Sequence, residues 1–316
     1  MPSAIKAGDA PASVRVGREP GAAPVARTGR GPQVRRRRAA RFDATGVLLA
    51  PSLVLLALFL GIPVIVILVT SFQPNVLLQR AAPGFYNYEY LVAQHYYAGV
   101  LLRTIRLAVV ATVLTLPLGY AAAMLLPRLR GRLGNIAIMA LTFPILAGPL
   151  VVILGWMALL PGRGPLFGPL VRLGLMSPPR IIGTESAVVL SLVQFMLPFA
   201  ILTLYTAIKQ IPRDLYEAAE SLGAGPVREF RDVTLPLSLP GVLSTSIILF
   251  SLSASSYISP HYLGGAAGLT LTTLIGEFIL ATYNTPLAGA AAILLLLVML
   301  ICMAGLVLLF RPLIRP

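Results

Sequence analysis

The chain has 316 residues, of which 57% are hydrophobic and only 11% are charged, and its mean hydropathy is +0.86. Because ordinary soluble domains carry about 25% charged residues, this composition excludes a soluble globule and predicts an integral membrane protein. The single cysteine, Cys302, excludes a disulfide framework within the chain. The two histidines, His95 and His261, lie far apart in the sequence, so we expect no metal site.

The first 43 residues are a basic segment that is rich in proline, glycine, alanine and arginine. They contain ten Lys and Arg residues and three acidic residues, which amounts to half of the net charge of +14. Such a composition is typical of disorder, so residues 1–43 are predicted to form a disordered cytoplasmic tail. We expect this tail to fix the topology and to contact anionic lipid, and not to bind nucleic acid.

Six apolar segments follow, each long enough for a membrane-spanning helix, which needs about 20 residues. The predicted spans are residues 45–71, 104–126, 134–160, 187–208, 241–262 and 286–310. The first is too long for a signal peptide and should remain as a membrane anchor. Gly119 with Ala123, and the small residues 288–292, favour close helix packing. Residues 44–316 are therefore predicted to be an all-α membrane domain with six transmembrane helices.

The distribution of Lys and Arg residues predicts the topology of these spans. Nineteen of the 25 lie in the tail, in the second and fourth connections between spans, or after the last span, and six lie on the other side. Cytoplasmic segments are enriched in Lys and Arg. Both termini, and the connection 209–239, are therefore predicted to be cytoplasmic.

The connection 209–239 is far longer than two neighbouring helices need. Pro212 predicts the start of a short helix, and Gly223 predicts its end. Pro226 starts a second short helix, which Leu235-Pro236 is expected to end at the next span. The connection carries five carboxylates and four cations, whereas a helix that lies on lipid headgroups favours Lys and Arg. It is therefore predicted to dock into a groove of a partner protein.

A semi-polar stretch between the last two spans contains Glu277 and several threonines. Two interpretations remain open for this residue. It is either a solvated carboxylate on a lid-like loop or re-entrant segment at the outer face, or a carboxylate that lines a substrate path. An ion-coupled carrier normally needs several such groups, so Glu277 alone gives little support to that class of protein.

The sequence contains no catalytic motif. All four aspartates lie outside the predicted spans, which excludes an aspartyl dyad at membrane depth. The chain also lacks the Gly-x-x-x-x-Gly-Lys-[Ser/Thr] loop that holds nucleotide phosphates. We therefore expect no enzyme activity, no catalytic residue, no metal and no cofactor in this chain.

The cytoplasmic connection carries a specific motif. Glu217-Ala218-Ala219, three residues, Gly223, nine residues and then Val233-x-Leu235-Pro236 resemble the signature of permease subunits of binding-protein-dependent ABC importers, in which isoleucine stands where this chain has Val233. The resemblance covers roughly residues 45–310 and is strongest to the spermidine/putrescine-type branch. The segments that carry it further are Leu49-Ala50-Pro51-Ser52, Asn87-Tyr88, Gly119-Tyr120-Ala121 and Leu263-Gly264-Gly265.

This resemblance implies the type I permease fold in a bacterial inner membrane, and a set of partners. These are two copies of an ATP-binding subunit, a second homologous permease, and an extracytoplasmic solute-binding protein. The connection would form the coupling helix: Glu217, Ala218, Ala219 and Gly223 would contact the ATP-binding subunit, and Leu235 and Pro236 would join the helix to the fifth span.

The resemblance also implies a small solute, most simply a polyamine, although the same branch includes permeases associated with thiamine, iron, phosphonates and opines. Residues 255–260 depart from the run that is common in the polyamine branch. Glu277 is the candidate for the substrate path. Two other classes of protein remain as alternatives: a stand-alone secondary carrier or channel, and a membrane scaffold that recruits partners through its basic tail.

Overall fold

The computed structural model describes residues 44–75, 78, 82–129 and 131–314, so the predicted tail lies outside the described residues. Within them the chain forms twelve α-helices and no β-strand. The helices are α1 (Ala44–Ser71), α2 (Tyr86–Ala93), α3 (His95–Leu125), α4 (Arg132–Leu159), α5 (Gly168–Arg172), α6 (Glu185–Lys209), α7 (Arg213–Ser221), α8 (Pro226–Glu229), α9 (Leu235–Ala254), α10 (Ile258–Leu263), α11 (Leu271–Leu280) and α12 (Thr285–Ile314). A π turn, Phe230–Thr234, joins α8 to α9.

The chain divides after Val54 into two units. The described part of the first unit is the beginning of α1 up to Val54. The second unit, Leu55–Pro316, contains the other eleven helices of the described chain.

Six stretches of the described chain are long and apolar enough to cross a membrane, which confirms the six predicted spans. They are Pro51–Ser71, His95–Leu125, Arg132–Leu159, Glu185–Lys209, Pro226–Ala254 and Thr285–Pro312.

The predicted bounds of the fifth span were wrong at both ends. Its helix does not begin near residue 241, because Pro236 lies in the first turn of α9, where a missing N–H costs nothing. The helix ends at Ala254, and the segment expected to complete the span forms the separate helix α10.

The interior of the second unit is built by α3, α6 and α9. In the most apolar part of these three spans, 39–50% of the residues are buried, against 0–11% for α1, α4 and α12. Methionine, leucine and alanine side chains of α6 fill the centre between α3 and α9, including the fully buried Met196 and Leu204. The outer three spans therefore present most of their apolar surface to lipid or to another membrane protein.

Glycines allow the three inner helices to approach closely. A Cβ atom on Gly119 of α3 would lie 2.6 Å from the Cβ atom of Ala200 of α6, so no larger residue fits there without a shift. A Cβ atom on Gly241 of α9 would meet Ala207 of α6 still more closely. The prediction that Gly119 mediates close packing is therefore confirmed by the α3–α6 crossing.

A group of buried polar residues, here called the asparagine clasp (Ser71, Asn75, Asn87 and Asn284), joins the end of α1 to α2 and α12. The Asn87 amide donates to the Ser71 carbonyl at 2.9 Å and accepts from the Asn75 amide at 2.8 Å. The Asn284 amide donates to the Asn75 side chain at 3.2 Å, and its oxygen accepts from the backbone N–H of Leu287. All four clasp residues are at most 6% exposed. The clasp therefore attaches the end of α1 to α2 and α12, whereas the large apolar side chains of α1 between Leu53 and Val69 are exposed.

We predict that Asn87→Ala destabilises the protein by about 1–3 kcal/mol, because it leaves buried partners in Ser71 and Asn75 without their hydrogen bonds. Thermal unfolding in detergent measures this loss. Asn135→Ala is the matched control, since Asn135 is exposed on α4. Equal unfolding temperatures for the two variants would contradict a stabilising role of the clasp.

Candidate functional site

The connection between α6 and α9 forms a helical elbow, defined here as residues 212–229. Pro212 precedes the first residue of α7 with an extended backbone, φ −59° and ψ 137°. Ile211, just before it, is buried and fixes the elbow to the end of α6. The predicted start of the first short helix at Pro212 is confirmed. The second helix does not end at Leu235-Pro236 as expected, because the π turn carries it into α9.

Gly223 ends α7 in a Schellman motif. Its backbone is left-handed, with φ +75°, a conformation that costs other residues about 1–2 kcal/mol. The N–H of Gly223 donates to the carbonyl of Glu220 at 2.8 Å, and the N–H of Ala224 donates to that of Ala219 at 3.0 Å, which is the hydrogen-bond pattern of this motif. No atom lies within 4 Å of a Cβ placed on Gly223. Its requirement is therefore conformational, and the surface around it is open.

One face of the elbow is apolar and uncovered. Leu215, Ala218, Ala219 and Leu222 follow one another at helical spacing, and no residue of α7 is buried. Leu222 is 85% exposed, and Val227, on α8, is 81% exposed. An isolated exposed leucine needs no explanation, but apolar residues on both arms of a tight elbow form a surface that a partner can cover.

Charged residues surround this apolar face. Three carboxylates of α7, Asp214, Glu217 and Glu220, are exposed. In the π turn that follows the second arm, Asp232 pairs with Arg231 at 2.9 Å, and it also pairs with Arg228 of α8 at 3.4 Å. These exposed pairs contribute little to stability, but they neutralise the second arm. The acidic charge of the elbow is therefore concentrated on α7, beside its apolar face.

The elbow is attached to α3 as well as to α6 and α9. The ring of Phe230, the first residue of the π turn, meets the ring of Tyr120 edge-on, with 5.7 Å between centroids and an angle of 82°. The hydroxyls of Tyr120 and Ser238 lie 2.7 Å apart. Leu235 packs in the same cluster, whereas Pro236 is exposed in the first turn of α9.

Glu277 lies on a packed helix and not in a loop. The side chain of Thr273 accepts from the backbone N–H of Thr270 and caps α11. The N–H of Leu271 donates to the hydroxyl of Thr104 on α3 at 2.8 Å. Thr270 and Thr273, two of the threonines in this stretch, therefore cap the helix. The side chain of Glu277 itself is exposed.

A cavity of about 460 Å³ lies beside Glu277. Its lining includes Tyr257, His261 and Thr273, and the rings of Tyr257 and His261 stack with 5.0 Å between centroids. A carboxylate and aromatic ring faces together can hold an organic cation. Glu277 is thus a solvent-exposed carboxylate that also lines a cavity, and its place on a substrate path stays a prediction.

A second acidic residue near this end of the bundle, Glu185, is already engaged. Its carboxylate binds the guanidinium of Arg106 and lies 3.5 Å from that of Arg103. No local pattern in the sequence predicts this ion pair, because Glu185 lies about 80 residues from the two arginines. Glu185 is therefore not available to a cation in the way that Glu277 is.

The elbow and the cavity lie at opposite ends of α9. The elbow precedes Leu235, and Tyr257 of the cavity follows Ala254. Twenty helical residues span about 30 Å, which is the thickness of the hydrocarbon core of a membrane.

Comparison with known proteins adds to this geometry. Residues 115–316 match the sequence profile of a family described as binding-protein-dependent transport system inner membrane component. The chain is 30% identical over 245 residues to the spermidine/putrescine transport system permease protein PotB of Haemophilus influenzae, covering 75% of this chain and 84% of that protein. It is 31% identical over 247 residues to PotB of Escherichia coli K12, covering 77% and 90%.

The fold also has a solved counterpart. It is similar, with a TM-score of 0.70 and 18% identity, to a chain of a bacterial ABC transporter involved in the import of the acidic polysaccharide alginate, covering 85% of this chain and 95% of that one. At this identity the likeness concerns the fold alone. It agrees with the predicted type I permease architecture, and the comparisons give no support to a stand-alone carrier.

We predict that cysteines placed at the elbow and beside the cavity react from opposite sides of the membrane. In a Cys302→Ser background, Leu222→Cys and Leu280→Cys place thiols at residues that are 85% and 69% exposed. With the predicted topology, a membrane-impermeant maleimide should label Leu222→Cys only in inverted vesicles and Leu280→Cys only in spheroplasts. The background chain without added cysteines is the control. Labelling of both from one side would contradict the separation of the two sites.

Proposed function

Since the chain belongs to the binding-protein-dependent transport system inner membrane component family, and is the inner-membrane permease subunit of an ABC importer, we propose that its elbow docks on the ATP-binding subunit and that its cavity receives a polyamine-type solute. The exposed apolar face of α7 is the observation that supports docking of the elbow on the ATP-binding subunit. The elbow would lie in the cytoplasm with both termini, as the Lys and Arg distribution indicates.

The docking partner is inferred from the surface of the elbow. Leu222 and the small residues Ala218 and Ala219 fit a shallow apolar groove, in the manner of a helix that binds a groove. Glu217 and Glu220, beside them, would pair with cations at the groove edge. Gly223 sets the angle between the two arms. Two copies of the ATP-binding subunit would serve this chain and a second, homologous permease.

The remaining surfaces leave room for the other partners. The apolar outer faces of α4 and α12 are exposed, and would contact lipid and the second permease. The end of the bundle with α10 and α11 would face the solute-binding protein. ATP-driven approach of the two ATP-binding subunits would move the elbows, and so shift the permease pair between inward- and outward-facing states.

The solute class is supported by the relatives and by the cavity. Both PotB relatives are named as spermidine/putrescine permeases. The cavity offers a carboxylate at Glu277 and the stacked rings of Tyr257 and His261, which suit an ammonium group. Its volume lies within the range typical of small-molecule sites. We expect no metal and no cofactor to be needed in this chain.

Affinity purification in mild detergent tests the assembly. The wild-type chain should recover an ATP-binding protein, a second six-span chain and a solute-binding protein, which mass spectrometry identifies. Ligand screening of that binding protein then tests the polyamine assignment. If the chain purified alone, while tagged importers from the same preparation kept their ATPases, the docking proposal would be wrong.

We predict that Gly223→Val lowers recovery of the ATP-binding subunit about tenfold, since a β-branched residue at φ +75° costs more than 1–2 kcal/mol and opens the elbow. The level of the chain in the membrane should not change. Gly225→Val is the matched control, because Gly225 has an extended backbone, φ −78° and ψ 171°, and nothing lies near its Cβ position. Equal recovery with both variants would show that the elbow angle is irrelevant.

We also predict that Glu277→Gln lowers uptake of radiolabelled spermidine at subsaturating concentration about tenfold, because a charged hydrogen bond is worth about 1.5–3 kcal/mol. Glu89→Gln is the control, since Glu89 is also an exposed carboxylate but lies on α2. Its uptake should stay within about twofold of wild type. Unchanged spermidine uptake by the Glu277→Gln variant would show that Glu277 does not bind the solute along its path.

A further inference from the structure

We propose that Tyr120 is a positioning residue that carries movement of the elbow into the three inner helices, by its ring contact with Phe230 and its hydrogen bond to Ser238. This inference rests on the proposed docking of the elbow. It assigns a role to a contact that joins the elbow to α3, the one inner helix that the chain does not connect to it directly.

The junction between the elbow and α9 is the π turn Phe230–Thr234, which continues the helix with a wider backbone turn. The hydroxyl of Thr234 lies 3.5 Å from the carbonyl of Glu229, five residues earlier. π turns within helices occur frequently at functional sites and locally change the helical register. The backbone of this junction can therefore change when the elbow moves. A side-chain contact is needed to fix the position of the elbow relative to α9.

Tyr120 provides that contact on both sides of the π turn. Its ring meets Phe230, where the turn begins, and its hydroxyl meets Ser238, in the first turn of α9. The Ser238 hydroxyl donates to the carbonyl of Leu235 at 3.1 Å, so it accepts its second hydrogen bond from Tyr120. Both Tyr120 and Ser238 are buried. One side chain of α3 thus bridges the turn.

The neighbouring residue shows why movement of Tyr120 would be transmitted. Gly119 lies against Ala200 of α6 with no space for a Cβ atom between them. Ala123, one turn later on α3, is fully buried in the cluster that also contains Ile201 and Leu204 of α6. Packed interfaces of this kind shift as units and do not deform gradually. When the elbow displaces Tyr120, α3 and α6 therefore move together.

The test separates energy coupling from folding. Tyr120→Leu removes the ring and the hydroxyl, Tyr120→Phe removes the hydroxyl alone, and Phe230→Leu removes the other ring. Each would be reconstituted in proteoliposomes with the ATP-binding subunit, the second permease and the solute-binding protein. The measured quantities are complex recovery, ATP hydrolysis, and spermidine transported per ATP hydrolysed.

We expect Tyr120→Leu and Phe230→Leu to assemble and hydrolyse ATP, with transport per ATP about tenfold below wild type. Tyr120→Phe should fall between them and wild type. The double variant Tyr120→Leu with Phe230→Leu should be no worse than Tyr120→Leu alone, because Tyr120→Leu already removes the ring contact that Phe230→Leu removes. Phe199→Leu is the control, since it removes a partly buried ring of α6 that pairs with Phe195 and not with the elbow.

An unchanged ratio of transport to ATP hydrolysis in Tyr120→Leu would overturn the inference, as would an equal loss in Phe199→Leu. If Tyr120→Leu does not fold, Tyr120→Phe and Phe230→Leu decide the matter by the same ratio. Failure of the wild-type chain to bind the ATP-binding subunit would instead refute the proposed function, so the two failures are distinguishable.

Discussion

Two glycines allow α3, α6 and α9 to pack closely, and this packing holds the bundle together. In a membrane, helices gain no hydrophobic energy by leaving lipid for one another, so their association relies on tight packing and interhelical hydrogen bonds. Gly119 and Gly241 give α6 contact with α3 on one side and with α9 on the other. A hydrogen bond of 2.9 Å between the hydroxyls of Thr203 and Thr245 adds to the α6–α9 contact. The elbow and the cavity are both positioned by this small core.

The two ends of the core present different chemistry. One end carries an apolar surface with an acidic border, around Leu222 and Glu217, which suits a folded protein. The other carries aromatic rings and one carboxylate around a cavity, which suits a small cation. Because α9 reaches from one end to the other, a tilt of the core changes both surfaces at once. If a protein at one end and a solute at the other each bind the two tilted states with different affinity, binding at one end changes the affinity at the other.

The sequence predicted what depends on local pattern and missed what depends on distant contacts. Six long apolar segments specified six spans, and Gly223 specified the end of α7, because each signal lies within a few residues. The prediction that Pro236 ends a helix is wrong, because a proline in the first turn is compatible with the helix it begins. The pairing of Tyr120 with Phe230 joins residues from separate spans, and the asparagine clasp joins three helices. No periodicity encodes either contact.

The π turn gives the spacing of the sequence motif a geometric meaning. The helix is continuous from Pro226 through the turn and along α9, so each residue from Pro226 to Val233 contributes to the rotation of α9 about its own axis. One residue more or fewer would rotate that helix by about 100°. Ser238 would turn away from Tyr120, and Gly241 would no longer face Ala207. The number of residues in the motif therefore matters as much as their identity. An insertion there would rotate a transmembrane helix without altering any residue inside the membrane.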